Sequence, residues 1–331
     1  MDADSPGESV PCRGDLGPVH RLEFEVQWPP KHVAAYLLDS EEPILIDAGP
    51  PGESANEELT DQLSSLGFDP DDVDHVLLTH PHSDHIGQVP AFREAGATIH
   101  APREVLGQLE RDEDTLAESA RSVAVGVGYE GETVDLVVEK TVESLRRNRR
   151  LVDPERSRPV DRSEPFTLAG RTWTPHHTPG HQLHHTCFGT TVRGVRVLFA
   201  GDALIEPFRP GVLHVGVDHG AYDGVDACYQ GLDRLEKLEF DRTLPGHGPP
   251  FSDHRGVVES TRADLDELVE ETRIAVEAIE PATPYEVTEE RIDRVRYLVQ
   301  VLDTLGALGT LERAGVITHD RDDGVRIYRP S

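Results

Sequence analysis

The apolar run VDHVLLTH breaks at its C-terminal end into PHSDHIG, so that His80, His82, Asp84 and His85 fall within six residues just past a short strand. Such a run is the kind that makes a buried strand, and its polar continuation leaves the strand at its end. In a segment that is first extended and then turns, His80 and His82 point to one side, while Asp84 and His85 swing past them toward a second point. One pair therefore serves one ion and the next pair another. Imidazoles together with carboxylates suit zinc, and also iron or manganese. The competing reading, a histidine-rich surface loop, does not account for the apolar strand in front.

The rest of the chain supplies a matching frame. From His20 to about Asp47 the segments RLEFEVQW, VAAYLLD and PILIDAG read as strands, and helical spacing follows at 56–66. Further strands are expected at ATIHAP, around RTWTPHH, at HTCFGTTV, at VRVLFAG and at DRTLPGH. Strands alternating with helices predict an α/β layered fold for residues 20–255, with residues 1–19 a flexible N-terminal segment. Between 103 and 157 the strand signals stop, and a helical insertion is expected over one end of the sheets. Residues 256–331 read as a long linker helix, then helix, helix and a hairpin turning at Asp323-Gly324, an order that resembles a winged-helix module.

A binuclear site needs ligands from other strand ends, and three are in suitable places. HTPGH sets His181 after a Pro-Gly turn, VLFAGDA sets Asp202 after a buried strand, and LPGHG repeats the strand, turn and histidine arrangement at His247. A lone histidine is more often a packed or surface residue. All three following HxHxDH in this order are read together as ligands.

With these residues in view the chain resembles the metallo-β-lactamase superfamily. PILIDAG, with Asp47 and Gly49, is similar to its first motif, THPHSDH to its second, HTPGH to its third, AGDA to its fourth and PGHG to its fifth, over residues 20–250. The resemblance implies an αββα four-layer sandwich with two metal ions, zinc or else iron or manganese, at one edge. His80, His82 and His181 would bind the first ion, and Asp84, His85 and His247 the second. Asp202 would bridge them, and Asp47 would hydrogen-bond a ligand histidine and fix its tautomer. The chemistry implied is hydrolysis by a water bridging the two metals, with Asp84 orienting it and shuttling its proton. His185 would help the metals hold the oxyanion. Asp202 and His85 stand where antibiotic-cleaving members carry other residues. The chain thus looks like the glyoxalase II, lactonase and thioesterase-like branch, acting on a small-molecule ester or thioester. A lactamase-like endoribonuclease and a mononuclear-iron persulfide dioxygenase are the alternatives, followed by a non-enzymatic regulator.

Charge bears on partners. The chain has 62 Asp+Glu against 32 Lys+Arg, a formal net charge of −30, with Lys31, Lys140 and Lys237 as its lysines. Carboxylates spread along the whole chain fit a surface adapted to high salt, as in a halophile. Against nucleic acid, which is bound by neutralising phosphates, counts the expected recognition helix VLDTLGALGTLERAG, with a single arginine, Arg313, and two acids. The one basic run, Arg146 to Arg150, is either a helix end that suits the dipole or a grip on an anionic substrate by Arg146, Arg147, Arg149 and Arg150. The segment LIEPFRPGV, with Arg209, would help to shape the substrate site. The start reads as neither the basic n-region nor the apolar h-region of a signal peptide, no apolar run approaches membrane length, and Cys12, Cys187 and Cys228 fit no disulfide framework. A cytoplasmic protein is expected, with a homodimer as one option for its assembly.

Overall fold

The computed structural model describes residues 17–331; the expected flexible segment, residues 1–19, lies outside them except for its last three. The N-terminal alternating segments pair as antiparallel strands β1 (Val19–Glu25), β2 (His32–Leu38) and β3 (Ile44–Ile46). Helix α1 (Glu53–Leu66) then leads to β4 (His75–Leu77), which lies parallel to β3. The single turn α2 (Ser83–Ile86) and α3 (Val89–Ala95) lead to β5 (Thr98–Pro102). Helices α4 (Arg103–Leu109), α5 (Glu113–Val127) and α6 (Gly131–Val152) lead to β6 (Arg158–Val160). The strands form one six-stranded sheet in the order β1 to β6. Because β3 and β4 are parallel, their C-terminal ends reach the same edge, which brings Asp47 beside Thr79.

The second sheet is a meander of β7 (Phe166–Leu168), β8 (Arg171–His177), β9 (Thr186–Val192) and β10 (Val195–Gly201). After α7 (Gly224–Leu235), β11 (Arg242–Pro245) joins β10 in parallel. The same geometry therefore recurs: two parallel strands end together, and the residues just past them, Asp202 and His247, arrive side by side.

Strand β2 shows why the layers form. Ala34, Tyr36 and Leu38 enter the core between the sheets with Trp173, Phe188 and Phe199, while Val33, Ala35 and Leu37 face Leu59 of α1 and Phe92 of α3. A strand whose two faces are both covered is apolar at nearly every position. The outer face of the second sheet is covered in turn, with Leu198 and Ala200 packed against Leu232 of α7 and Leu265 of α8 (His254–Ile279). Helix, sheet, sheet and helix make the expected αββα four-layer sandwich.

Beyond α8 the chain forms α9 (Pro284–Ile292), α10 (Leu298–Arg313) and the hairpin β12 (Ile317–Asp322) and β13 (Val325–Pro330). The hairpin turns on Asp323 and Gly324, with φ of 45° and 90°, the left-handed pair for which Asp-Gly is suited. Ten of the 16 residues of α10 are buried, and Leu298 at its start is exposed. Its Val301, Leu302 and Leu305 complete a core with Ala120, Val123 and Val134 of the insertion, while Leu308 and Leu311 meet Val276, Val287 and Tyr328. Among the described residues no helix is long and apolar enough to cross a membrane.

Candidate metal centre

The strand ends deliver two clusters of donor atoms. In the first, His82 Nδ1 lies 3.1 Å from His80 Nε2 and 2.9 Å from His181 Nε2. In the second, Asp84 Oδ2 lies 3.8 Å from His85 Nε2 and 3.5 Å from His247 Nε2. The Asp202 carboxylate stands between them: Oδ2 is 3.3 Å from both His181 Nε2 and His247 Nε2, and Oδ1 is 3.4 Å from His85 Nε2. All seven residues singled out in the motifs thus converge on one edge of the sandwich. The turn at Gly246 permits the approach, since a Cβ there would stand 2.3 Å from Asp202 Oδ1 and 2.6 Å from His85 Cε1.

The back of each ring fixes which nitrogen faces inward. His181 Nδ1 meets Gly211 O at 2.9 Å and His247 Nδ1 meets His32 O at 2.6 Å, so both nitrogens donate and leave Nε2 with its lone pair. Asp47 organises two more. It accepts from Thr79 N and Thr79 Oγ1, both at 2.8 Å, and from His85 Nδ1 at 3.0 Å. The Thr79 hydroxyl, having given its proton to Asp47, accepts from His80 Nδ1 at 2.9 Å. Four Nε2 lone pairs and two carboxylates therefore point into one small volume.

This donor set fits divalent cations. His85 Nε2 and Asp202 Oδ1 are buried without a hydrogen-bond partner, and buried polar atoms are otherwise nearly always satisfied. Burial, with His181 beside it, pushes His82 down to about 3, and burial also lowers His80 and His181, which favours the neutral ligand form. Burial pulls His247 down as well, but Asp202 and Asp84 overcome it and lift that ring to about 10. The two carboxylates thus call for positive charge, which a cation supplies in place of protons. Asp47, His80 and His85 also lie close enough to share an ion, yet their contacts run through Nδ1 and the Thr79 hydroxyl and are already satisfied as hydrogen bonds.

Not every residue proposed from the sequence reaches the centre in its expected role. His185 is buried, accepts from Asp202 N through Nε2 at 3.0 Å, and pairs with Thr178 Oγ1 through Nδ1 at 2.8 Å. It has no N–H to offer an oxyanion and instead holds the turn that carries Asp202. Of the arginine run, Arg146 and Arg149 both bind Glu113, and Arg149 also donates to Leu109 O and Arg111 O. These two brace α6 against the start of α5, and Arg150 lines no cavity with the metal residues. Arg147 does, together with Asp84, His82, His181, Asp202 and His247 around a cavity of 560 Å³. Arg209 lines it too, but its Nη2 is paired with Asp303 at 2.7 Å.

Three supporting residues escaped sequence reasoning. Thr79 carries its only signal in adjacency to His80. His32 supplies a carbonyl to His247 and accepts from Gly248 N at 2.9 Å, and Asn148 of α6 donates to Pro81 O at 2.7 Å; neither has a local signature.

The model of the metallo-beta-lactamase superfamily matches residues 28–269. A Bacillus subtilis protein described as the probable metallo-hydrolase YqjP is 25% identical over 302 residues, covering 86% of this chain and 89% of its own. The crystal structure of the metallo-beta-lactamase family protein TTHA1429 from Thermus thermophilus superposes with a TM-score of 0.79 at 26% identity, over 95% of this chain and 99% of that one. A beta-lactamase domain protein from Burkholderia ambifaria gives a TM-score of 0.73 at 21% identity, over 95% and 93%. With the family model spanning most of its length, the sandwich complete and the motif residues gathered at its edge, this chain belongs to the metallo-beta-lactamase superfamily.

Proposed function

We propose that the protein is a hydrolase that uses two divalent cations to cleave an ester-type bond, a thioester, lactone or similar small ester. The observation that carries this reading is the Asp202 carboxylate, shared between two donor clusters at the floor of a 560 Å³ cavity. The donor set of imidazoles and carboxylates suits zinc, with iron or manganese as alternatives. Bound cations would supply Lewis-acid polarisation of the scissile carbonyl and acidify a water molecule.

The chain's own residues do the rest. Asp84, 13% exposed through its side chain, presents a carboxylate to the cavity where it can orient the attacking water and hold its proton. Burial alone would raise this carboxyl, but His85 and His247 bring it down to about 2, so it stands ionised, able to accept a hydrogen bond from the water. His185 keeps the Asp202 turn in place through the backbone amide. Arg147, on the cavity wall near Asp84, is placed to attract an anionic group remote from the ester.

The cavity favours a small ester over RNA. Its lining has two arginines, Arg147 and the ion-paired Arg209, in place of the run of cations that phosphates require. Helix α10, second in the helix, helix, hairpin order that supports a winged-helix-like reading of the tail, is buried against the insertion and α7. The mononuclear-iron alternative leaves the Asp84, His85 and His247 cluster without a use.

Elemental analysis of the purified protein, followed by assay of thioesters, lactones and RNA with the same preparation, tests the proposal. We expect close to two transition-metal ions per chain, lost together with activity in His82→Ala, and turnover cut by orders of magnitude in Asp202→Asn. No more than one tightly held ion after zinc is supplied would overturn the two-cation centre, and cleavage of RNA alone would overturn the ester reading.

A further inference from the structure

Beside the reaction cavity lies a second one of 620 Å³ whose lining includes His82, Ser144, Asn148 and Leu213, four residues that also line the first. Charged side chains, Arg111, Lys140 and Arg296, also stand on its lining. Its walls are nonetheless mostly apolar, built from Leu109 of α4, Leu136 and Val137 of α6, Val295, and Leu298 at the start of α10. The volume lies within the range of about 300–1,000 Å³ found for ligand sites. At the rim, Leu136, Tyr297 and Leu298 are 53%, 50% and 44% exposed, whereas Val123 of α5, Val134 and Val138 of α6 and Val301 and Leu302 of α10 are buried. A surface that spends three large apolar side chains around one opening marks a binding site rather than chance exposure.

We propose that this chamber holds a straight apolar arm, acyl or alkyl, of the substrate whose ester group lies over the metal ligands. The assignment rests on the ester-hydrolase reading and adds to it a substrate class. His82 is both a donor of the first cluster and a wall of both cavities, so the apolar space begins beside that cluster, at His82, Ser144 and Asn148. The two adjoining cavities match such a molecule, a polar head at the cations and a hydrocarbon tail among leucines and valines.

The test uses a series of unbranched acyl thioesters from acetyl to decanoyl with the metal-loaded protein. Alongside it, butan-1-ol and octan-1-ol are titrated calorimetrically into the metal-free protein. Each methylene buried is worth about 0.8 kcal/mol, so kcat/KM rises about fourfold per carbon until the chamber is filled. Octan-1-ol then binds at least tenfold more tightly than butan-1-ol. The double variant Leu136→Asp, Leu298→Asp, which alters exposed positions only, flattens both trends. A flat chain-length profile in a protein that does cleave esters would overturn the chamber and leave the ester reading standing. Octan-1-ol preference without hydrolysis of any ester would do the reverse. Octan-1-ol binding no tighter than butan-1-ol would overturn the chamber, and if the double variant also changed the sedimentation coefficient from dimer to monomer, the rim would be covered by a second copy of the chain.

Discussion

Asp47 has a φ of 57°, a left-handed conformation costly for most residues and tolerated by Asp, and is 3% exposed. Its two oxygens take three donors, from Thr79 N, Thr79 Oγ1 and His85 Nδ1, and through Thr79 it reaches His80 as well. One carboxylate thereby aims a histidine of each cluster. In Asp47→Ala these buried donors lose their acceptor, at a cost of about 1–3 kcal/mol in stability. The loosened rings lower metal affinity on the order of 10- to 100-fold. Chelator competition and thermal unfolding of the same preparation measure both, and unchanged metal affinity would show that Asp47 only braces the strand end. Arg147 makes a different kind of claim. Its cation acts on encounter with an anion and leaves the reacting bond alone, so Arg147→Ala raises KM for an ester bearing a carboxylate by several fold more than for its neutral isostere. Equal effects on the two would leave Arg147 as a solvated helix cation.

At the scale of elements, the edge between β4 and β5 carries a titration that the metal centre does not share. His100 on β5 has His75 of β4 at 3.4 Å and Arg158 of β6 as its direct register partner. Burial first, then these two neighbours, push its imidazole down to about 4. The unfolded chain takes up that proton near pH 6.5 and the folded chain only near 4. Stability is therefore full above pH 6.5 and is lost as pH falls from 6.5 to 4. The loss is about 1–3 kcal/mol. In His100→Gln the loss over that window shrinks, and denaturant unfolding at several pH values would reveal an unchanged slope if His100 were not the group responsible.

The same elements show what could be read in advance. Strand β2 was legible because both its faces are covered, and the Asp-Gly turn because few sequences adopt two left-handed residues. The centre was legible because its ligands follow strands whose ends a layered sheet must place together. The arginine run was not: the letters give charge but not partner, and Glu113, which captures Arg146 and Arg149, lies over 30 residues away. His185 failed for the same reason, since an imidazole's role depends on what its two nitrogens meet, and Thr178 and Asp202 meet both. The strands β6 and β7 had no sequence reading of their own, being too short to set a period, and helix α7 had none although its Val225, Leu232 and Leu235 lie on one buried face.

For the molecule as a whole the dominant fact is a formal net charge of −30. Arginines are drawn into pairs such as Arg196 with Glu239 and Asp241, Arg273 with Glu270 and Glu277, and Arg313 with Asp223 and Asp226. Exposed pairs like these are worth at most about 1 kcal/mol each and weaken in salt. The unpaired carboxylates repel one another over the whole surface, and that repulsion is screened too, because the Debye length falls from about 10 Å at 0.1 M to about 3 Å at 1 M. The two effects have opposite signs, and the excess of acids decides between them: with 62 acidic against 32 basic side chains and a net charge of −30, nearly half of the carboxylates have no cation to lose. We therefore expect the melting temperature to rise on the order of 5–10 °C between 0.1 M and 2 M sodium chloride, a gain of a few kcal/mol at roughly 2–4 °C per kcal/mol. Chloride is the salt to use, since sulfate strengthens apolar burial in any protein, and sucrose at matched osmolality controls for exclusion from the surface. A melting temperature that fell with chloride, or that rose no more than in sucrose, would mean that the arginine pairs and not the self-repulsion govern the stability of this acidic shell.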